Sequence, residues 1–320
     1  MGAPIAIELD GQYRTMREGI GLLDRSDRGK LLVEGPEAAE YLQGQLTNDV
    51  EALEPGEGCY AALLDRKGKM QADLRTLRLA DDRIWLDCEP EARETLLAHL
   101  DLYRVGREVS VADVSGGWAI LSLLGPAAST ILSSPPKGTE HRHSELELGG
   151  AVVRAVITDR GYDLIVEVDR EATIRDEVLT SGADPVSPEA AEIVRVEAGR
   201  PRFGAEMTTA TIPEEAGIND RAVSLTKGCY IGQETVARLH YKGKPNRHLR
   251  GLRLDGDAAA GDQIRLGDRV LGELGTAVLS PALGRIGLAI LRREAEPGDV
   301  VVVGSETTAE VVELPFVDGD

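Results

Sequence analysis

Apolar runs followed by polar turns predict alternating strands and helices over the first three quarters of the chain. Residues 31–39 and 121–128 share one pattern, an apolar run, a Gly-Pro pair and an alanine-containing segment. Proline is preorganised for the first helical turn, so this pattern predicts a strand that leads into a helix. The second Gly-Pro pair lies 90 residues after the first. The echo indicates either two α+β subdomains of common ancestry or a chance repeat of a frequent dipeptide.

Periodicity predicts the neighbouring elements. Leu96, Leu97 and Leu100 would share one face of an amphipathic helix over residues 90–102. Further predicted helices cover residues 37–45, 170–181 and 188–198, and predicted strands cover residues 59–64, 74–79, 83–87, 152–157 and 164–168.

The pattern changes near residue 249, where short apolar runs punctuated by Gly, Asp and Pro predict a small all-β barrel or sandwich. These runs are residues 249–254, 263–266, 274–279, 286–291, 300–303 and 309–314. We therefore expect an α+β fold with two related subdomains, at about residues 1–110 and 111–245. A C-terminal β-barrel would cover residues 246–320, after a linker at residues 242–246.

Composition narrows the possible partners. A chain of 320 residues with 42% hydrophobic residues can build more than one core. Aromatic residues make up only 3%, and the net charge of −19 repels phosphate backbones, so we expect no direct nucleic-acid binding. Residues 226–253 depart from this trend, with seven cations and one anion. A local charge of +6 in an acidic chain suggests a small anionic ligand.

Three widely spaced cysteines argue against a disulfide framework and for a reducing compartment. The sequence contains no CxxC or HxxxH spacing, so it does not predict a metal site. The start of the chain has no secretory pattern, and no apolar run reaches membrane-spanning length. We expect a cytoplasmic protein with no metal and no membrane contact. His141 and His143, beside charged residues, are interpreted as part of a solvated loop.

The most unusual segment is Lys-Gly-Cys-Tyr-Ile-Gly-Gln-Glu at residues 227–234. Lys227 would favour the reactive thiolate of Cys229, although a lone cysteine is more often inert. Gln233 and Glu234 offer donors and acceptors for a ring with amide-like edges. Alternatively, Glu234 is only a helix N-terminal acid that interacts with the helix dipole.

Three other segments are candidates. Residues 43–49 gather amide, hydroxyl and acidic side chains at a predicted helix end, where capping and an Asx turn are the alternative explanation. Arg195 and Glu197 precede a glycine that would end a helix, so they also suit a surface pair beside a C-cap. Asp73 follows a turn at residues 65–69 and would face either a cleft or solvent.

Together these segments resemble a known family. Residues 227–234 resemble the signature of the YgfZ-type folate-binding proteins, in the superfamily of the glycine cleavage T-protein (aminomethyltransferase). Segments similar to other family motifs occur in the same order, at residues 41–49, 64–69, 195–199 and 283–289.

The resemblance implies a central folate cavity between two α+β subdomains, with tetrahydrofolate or a one-carbon derivative as the cofactor. Its pterin would lie near Glu197, and we infer from charge that its acidic tail meets residues 226–253. The implied catalytic residues are Cys229, Lys227 and Asp73. The implied folate-binding residues are Glu197, Arg195, Gln45, Thr47, Asp49, Gly228, Tyr230, Gln233, Glu234 and Arg238.

The resemblance leaves the activity open. Aminomethyltransferases of this superfamily carry two carboxylates after a Gly-Gly turn, whereas this chain has Ala72 before Asp73 and lacks the Gly-Gly pair. This difference favours a YgfZ-type accessory protein for iron–sulfur cluster assembly, with iron–sulfur enzymes, including a tRNA-modifying one, as clients. The alternatives are a folate-dependent aminomethyltransferase and a scaffold that binds no folate. A single motif cysteine could not complete a four-thiolate cluster site.

Overall fold

The computed structural model describes residues 3–317, with side chains from residue 9 onwards. Met1 and Gly2, which belong to the segment used to judge an N-terminal leader, lie outside this range. The chain divides into two compact units. The larger unit contains the chain up to Asp65, Gln71–Pro188 and Arg221–Ile231, and the smaller unit contains Arg66–Met70, Glu189–Asp220 and the chain from Gly232 onwards.

The elements are numbered in chain order. The α-helices are α1 Ala3–Glu18, α2 Ala38–Gln45, α3 Arg93–Tyr103, α4 Glu171–Thr180, α5 Pro188–Glu197, α6 Asn219–Ala222 and α7 Gln233–Lys242. Short 3₁₀ segments cover Pro90–Ala92, Ser115–Gly117 and Ala128–Ile131. The strands are β1 Gly21–Asp24, β2 Gly29–Glu34, β3 Gly58–Leu64, β4 Met70–Ala80, β5 Arg83–Cys88, β6 Ser110–Asp113, β7 Trp118–Leu124, β8 His143–Leu148, β9 Ala151–Thr158, β10 Gly161–Glu167, β11 Asp184–Pro185, β12 Arg247–Leu254, β13 Gln263–Leu266, β14 Arg269–Ser280, β15 Gly284–Arg292, β16 Val300–Val303 and β17 Thr307–Val312.

The larger unit contains a five-stranded sheet in the order β3-β4-β5-β2-β6. The predicted strands at residues 59–64, 74–79 and 83–87 are confirmed as β3, β4 and β5, with longer ends. Helix α3 packs on β2 and β6 through its apolar face, where Leu96 and Leu100 are fully buried. The helix predicted from residue 90 begins as a 3₁₀ turn and becomes α-helical at Arg93.

The second sheet of the larger unit has six strands in the order β11-β1-β7-β10-β9-β8. It repeats a topology of the first sheet. In the first sheet, β2 precedes a Gly-Pro pair and lies beside β5, the last strand of the run β3-β4-β5. In the second sheet, β7 precedes a Gly-Pro pair and lies beside β10, the last strand of the run β8-β9-β10. The shared order supports two related subdomains, and the α+β fold class is confirmed.

The two Gly-Pro junctions also share a backbone geometry. Gly35 and Gly125 have φ values of 138° and 131°, which L side chains rarely adopt. A Cβ on Gly35 would lie 2.1 Å from the carbonyl oxygen of Glu108, and one on Gly125 would lie 2.3 Å from that of Gly19. Both positions therefore require glycine. The second junction leads into a 3₁₀ segment, not the α-helix that the pattern predicts.

The two sheets of the larger unit share an apolar core. Leu77 and Trp85 from the five-stranded sheet pack with Ile120, Val156 and Ile165 from the six-stranded sheet. Side chains of the central strands β4, β7 and β10 therefore meet between the two sheets, which is where the polar residues described below are held.

The smaller unit contains a closed six-stranded barrel in the order β12-β15-β14-β13-β16-β17. Strand β12 pairs antiparallel with both β15 and β17, which closes the sheet. The sequence predicted a barrel or a sandwich, and the barrel is confirmed. Val196 of α5 packs with Ile286 and Leu288 of β15, so this helix belongs to the same body as the barrel.

Helices α1 and α7 were not among the predicted elements. Helix α7 begins directly after Gly232, in a segment interpreted from sequence as a ligand loop. Residues 243–246 follow it with no regular structure, and the domain boundary expected there stays a prediction. In the part of the chain that the structure describes, we find no helix with the length and apolar character needed to cross a bilayer.

Candidate functional site

Lys227 is a buried lysine that binds the end of helix α2. Its Nζ donates to the carbonyl oxygens of Gln43 at 2.6 Å, Leu46 at 2.6 Å and Asn48 at 2.9 Å. An ammonium group has three N–H donors, so the three carbonyls use them all. Burial lowers the pKa of Lys227 to about 8, while the nearby charge of Asp49 opposes the shift. Lys227 thus satisfies carbonyls that a helix end leaves without partners.

The loop at residues 43–49 is held by its own polar side chains. Thr47 is fully buried; its Oγ1 donates to the carbonyl oxygen of Ala222 and accepts from the N–H of Ala62. The side-chain amide of Asn48 donates to the carbonyl oxygens of Tyr60 and Arg221. These bonds join the loop to β3 and to the segment before Lys227, so the two sequence motifs form one structure.

The remaining predicted ligands in this loop also have partners. Gln43 donates to Asp49 Oδ1 at 2.9 Å and accepts from the N–H of Val50. Gln45 Oε1 lies 2.9 Å from His99 Nε2. The capping and Asx-turn explanation therefore accounts for much of the polar character of residues 43–49, while folate binding by Gln45, Thr47 and Asp49 stays a prediction.

The segment after Lys227 alternates between buried and exposed residues. Gly228 and Cys229 are exposed, and Tyr230 is buried with its ring centroid 5.0 Å from Lys227 Nζ. Cys229 therefore presents its thiol at the surface of a loop that Lys227 anchors from below. The structure supports this anchoring function of Lys227 through three hydrogen bonds; activation of the Cys229 thiol by Lys227 stays a prediction.

Asp73 lies on β4, with one oxygen bonded to a tyrosine. Tyr60 on β3 donates its hydroxyl to Asp73 Oδ2 at 2.7 Å. Burial raises the pKa of Asp73 to about 6, and the Tyr60 hydrogen bond acts in the opposite direction. The other oxygen, Oδ1, is buried without a hydrogen-bond partner. A carboxyl group with a pKa this close to neutrality can donate or accept protons under cellular conditions.

Arg221 completes the surroundings of Tyr60. Its guanidinium lies 5.1 Å from the centroid of the Tyr60 ring and donates to Glu140 Oε1 at 2.7 Å. A cation above an aromatic face is attracted to the ring. Because Asn48 also bonds to the Arg221 carbonyl, the loop at residues 43–49 and the Asp73–Tyr60 pair share one support.

Ala72, where the second acid of aminomethyltransferases is expected, lies on the other face of β4. Successive strand residues point to opposite faces, and Ala72 is fully buried. An acid at this position would not stand beside Asp73. The missing carboxylate therefore leaves the Asp73 face of the strand unchanged.

The smaller unit holds Glu197, the predicted pterin ligand. Glu197 ends helix α5 and is fully buried, and its carboxylate accepts the hydroxyl of Ser280. Its carbonyl oxygen accepts the N–H of Phe316 at 3.0 Å. Glu197 is thus an internal residue of this unit, and its contact with folate stays a prediction.

Arg195 is held by carboxylates within the smaller unit. It donates to Glu192 at 2.7 and 2.8 Å, to Glu206 at 3.0 and 3.2 Å, and to Thr276 Oγ1 at 2.9 Å. The surface-pair explanation is therefore too simple, because Arg195 joins α5 to strand β14 of the barrel. The hydrogen bonds of the Arg195 guanidinium thus hold α5 against the barrel.

Gln233, Glu234 and Arg238 lie on α7. Glu234 is in the first turn and His240 and Lys242 are in the last, an order that complements the helix dipole. Glu234 and Arg238 are exposed, and Gln233 is half-buried. The alternative of a helix N-terminal acid describes the observed position of Glu234, and the folate contacts of these residues stay a prediction.

The cationic window at residues 226–253 is partly neutralised. Arg247 donates to both oxygens of Glu215 at 3.1 Å, and Arg250 lies 3.5 Å from Glu313. With Lys227 buried, the exposed cations around the end of α7 are Arg238, Lys242 and Lys244. A site for an anionic tail would therefore be smaller than the charge count suggests.

The interpretation of His141 and His143 as solvated is wrong. His143 is 3% exposed, and its Nδ1 lies 3.0 Å from an Arg154 nitrogen. His141 is mostly buried, and burial lowers its pKa to about 3. Charged neighbours in the sequence suggested a surface loop, whereas the backbone of this segment pairs with β9 and turns both rings away from solvent.

Two sequence families match this chain. The GCVT N-terminal domain matches residues 8–227, and the glycine cleavage T-protein C-terminal barrel domain matches residues 247–318. The first match alone covers well over half of the chain. The chain belongs to the glycine cleavage T-protein family.

Individual relatives agree with this assignment. An aminomethyltransferase from Rubrobacter xylanophilus is 29% identical, over 96% of this chain and 86% of the relative. A chloroplastic Arabidopsis thaliana protein, named provisionally as a transferase, is 26% identical over 93% of this chain and 72% of its own length. The crystal structure of glycine cleavage system aminomethyltransferase T from Bartonella henselae has a TM-score of 0.87 at 23% identity, covering 97% of this chain and 90% of that one. This last likeness shows the fold.

Sequence reasoning missed two site residues of this T-protein family member. Tyr60 and Arg221 lie in segments that read as an ordinary strand or loop. Tyr60 and Asp73 are 13 residues apart on neighbouring strands, and a turn with glycine between two apolar runs was the signal that could have paired them. Arg221 lies far from both along the chain, so no local pattern indicates its position.

Proposed function

We propose that this protein binds tetrahydrofolate, or a one-carbon derivative of it, and serves as a YgfZ-type accessory protein for iron–sulfur cluster assembly. The observation that carries folate chemistry is Asp73, a buried carboxyl group with a pKa of about 6. Its protonation state changes near neutral pH, which suits proton exchange with a weakly basic ring nitrogen.

Three residues of the larger unit would have separate roles in this function. Bound tetrahydrofolate would supply the nitrogen atoms that carry a one-carbon unit. Asp73 would hold or release a proton, and Tyr60 would keep one Asp73 oxygen in place through its 2.7 Å hydrogen bond. Arg221 would position the Tyr60 ring from 5.1 Å. From the family resemblance alone, Glu197 is proposed to accept from the donor edge of the pterin.

Calorimetry with tetrahydrofolate tests the binding. We expect micromolar affinity, a binding free energy of about −8 kcal/mol. Asp73→Asn keeps the shape of the side chain, so the affinity at a fixed pH should change little. The substitution removes the titrating carboxyl group, so the dependence of the affinity on pH should change much more. A wild-type protein that releases no heat with tetrahydrofolate, and gains no thermal stability from it, would refute the proposal.

The iron–sulfur role is carried by the exposed thiol of Cys229 in the family motif. None of the three cysteines is in a disulfide, in keeping with a proposed cytoplasmic location. A deletion strain complemented with Cys229→Ala should lose activity of iron–sulfur enzymes, including the tRNA-modifying ones. Cys59→Ser is the matched control, because it removes a half-buried thiol of the same unit. Full activity with Cys229→Ala would exclude a thiol function.

A folate-dependent aminomethyltransferase is the second candidate. It is favoured by the position of Ala72 on the face opposite Asp73, since the missing acid then has no direct bearing on the Asp73 site. Purified protein supplied with tetrahydrofolate and an aminomethylated carrier protein should release ammonia if this candidate is correct. Absence of ammonia, with folate binding intact, would leave the accessory function.

A further inference from the structure

Six side chains of the larger unit have buried polar atoms without hydrogen-bond partners, those of Asp73, Arg75, Thr76, Arg78, His141 and His143. Four of these atoms are Asp73 Oδ1, Arg75 Nη2 and both ring nitrogens of His141. Asp73 and Arg75 are 8% and 6% exposed and point from the same face of β4. Buried polar groups in proteins are nearly always paired, so a group of four unpaired atoms requires an explanation.

His141 approaches the same region from the six-stranded sheet. Its backbone N–H donates to the carbonyl oxygen of Ile157 at 2.8 Å. Ile157 pairs with Tyr162, the neighbour of Asp163, and Asp163 accepts a hydrogen bond from Arg75. After burial, the positive charge of Arg75 is the largest influence that lowers the pKa of His141. Arg75 therefore links the other two, because its charge acts on His141 and its side chain shares one face of β4 with Asp73.

The backbone of His141 gives a second, independent indication. Its φ of 71° is the only positive φ of a non-glycine residue between residues 3 and 317. Such conformations cost free energy and concentrate at ligand-binding and catalytic positions. Nε2 lies 3.7 Å from Glu140 Oε1, beyond hydrogen-bonding distance, so this contact does not account for the strained position of the ring.

We propose that Asp73, Arg75 and His141 form a subsite for a neutral amide, in which an N–H stands beside a C=O. Arg75 Nη2 would donate to the carbonyl oxygen, while Asp73 Oδ1 or a His141 nitrogen would accept the N–H. The proposal rests on the proposed folate function. Folate carries two groups of this class, the lactam edge of the pterin and the amide between aminobenzoate and glutamate.

The local charge balance favours a neutral ligand. Arg75 already pairs with Asp87 at 2.8 Å and with Asp163 at 2.6 Å. Arg221 pairs with Glu140. An anionic ligand would therefore bring a charge without a counterion into a buried place, which is costly. With its pKa of about 3, His141 is uncharged at neutral pH, and a neutral imidazole offers one donor and one acceptor.

Two substitutions of His141 test the subsite while keeping its backbone. Glycine and asparagine both tolerate positive φ, but only asparagine presents a donor and an acceptor. We expect His141→Gly to weaken tetrahydrofolate binding at least tenfold and His141→Asn to restore it to within about threefold of wild type. Equal affinities of wild type and His141→Gly would overturn the proposal.

Two folate fragments identify the amide that is bound. 6-Methyltetrahydropterin carries only the lactam edge, and p-aminobenzoylglutamate carries only the benzoyl amide. The fragment whose affinity falls in His141→Gly and recovers in His141→Asn contains the group in the subsite. If neither fragment responds to these substitutions and tetrahydrofolate does not either, no amide of folate is bound by His141, and the proposal is wrong.

A separate measurement distinguishes failure of the subsite from failure of the folate function. Wild type that binds no tetrahydrofolate would refute the folate function alone. The subsite is then judged with ¹⁵N-histidine-labelled protein and N-methylacetamide, the smallest molecule of this class used here. Shifts of the ring-nitrogen resonances that are lost in His141→Gly support the subsite, and unchanged His141 resonances overturn it.

Discussion

Arg75 Nη1 on β4 donates to Asp163 Oδ2 on β10 at 2.6 Å, which joins the two sheets of the larger unit by an ion pair inside their shared core. The Nε of the same guanidinium donates to Asp87 on β5 at 2.8 Å. Ser122 donates to the other oxygen of Asp163. Because these groups are buried, each charge depends on its partner: removing one leaves another without compensation in a medium of low polarity.

Arg75→Met should therefore destabilise the larger unit strongly. We expect the free energy of unfolding to fall by about 3–5 kcal/mol, the usual cost of leaving a buried charge unpaired. Urea denaturation followed by tryptophan fluorescence measures it, because the Trp85 and Trp118 rings lie 5.7 Å apart in this core.

Arg104→Met is the matched control for this prediction. Arg104 forms an exposed pair with Asp101 three residues earlier in the same helical region. Exposed ion pairs contribute at most about 1 kcal/mol, so this change should be small. If Arg75→Met were as mild as Arg104→Met, the ion pair between the sheets would have no structural importance.

Asp73 should make stability depend on pH. Its folded-state pKa of about 6 lies above the ordinary value of 3.8, because burial penalises the carboxylate. Asp73 therefore favours the folded state below about pH 4, and this contribution is lost as the pH rises through 6. Asp73→Asn should gain stability relative to wild type over that interval, by about 3 kcal/mol for a shift of this size. Urea unfolding at pH 4 and pH 7 measures the difference.

Tyr60→Phe refines the same prediction. The lost hydroxyl hydrogen bond favours the carboxylate, so the pKa of Asp73 should rise further in this variant. NMR titration of the Asp73 side-chain carbon would detect the change. A midpoint near 4 in wild type would mean that Asp73 is hydrated and would contradict both predictions.

Lys227→Met should loosen the loop after helix α2. The substitution keeps much of the side-chain volume but removes three hydrogen bonds to backbone carbonyls. Hydrogen bonds to charged groups contribute roughly 1.5–3 kcal/mol each, so the loss should exceed about 2 kcal/mol. Hydrogen exchange of residues 43–50 should accelerate. Lys242→Met, at an exposed position on α7, should leave this exchange unchanged.

The reactivity of Cys229 distinguishes two functions of Lys227. If Lys227 only anchors the loop, Lys227→Arg should retain part of the hydrogen-exchange protection that Lys227→Met loses. Alkylation of Cys229 should then become faster as the loop becomes more mobile. If Lys227 instead activates the thiol, Lys227→Met should slow alkylation even though the loop is looser. Slower alkylation of Cys229 in Lys227→Met would therefore show that Lys227 does more than anchor the loop.

The sequence predicted those helices and strands whose apolar residues follow a regular helical or strand spacing. The leucines of α3 and the short runs of β12 to β17 follow helical or strand periodicity, so their positions could be read directly from the sequence. Helix α7 was missed because its first residues belong to a motif rich in polar side chains, and its amphipathic pattern begins only with Val236.

The polar site could be predicted only in part. Asp73 and Lys227 stood out by their surroundings in the sequence, but their functions depend on residues far along the chain. Lys227 bonds to carbonyls about 180 residues earlier, and Arg75 bonds to an aspartate 88 residues later. Side-chain periodicity carries no information on such pairs. His141 was misread for the same reason, since a pairing with β9 decides its burial.

Gly68 occupies a turn that only glycine should fit. Its φ is 78°, and a Cβ there would lie 2.8 Å from the Cβ of Thr235 on α7. Gly217 has a similar φ of 67° with nothing within 4 Å of a Cβ, which makes Gly217→Ala a matched control in the same unit. We expect Gly217→Ala to cost about 1–2 kcal/mol through its backbone conformation alone. Gly68→Ala should cost a further 1–3 kcal/mol, roughly, because the added methyl group overpacks the contact with α7. Urea unfolding followed by far-ultraviolet circular dichroism measures both, and equal costs would show that the turn moves away from α7 freely.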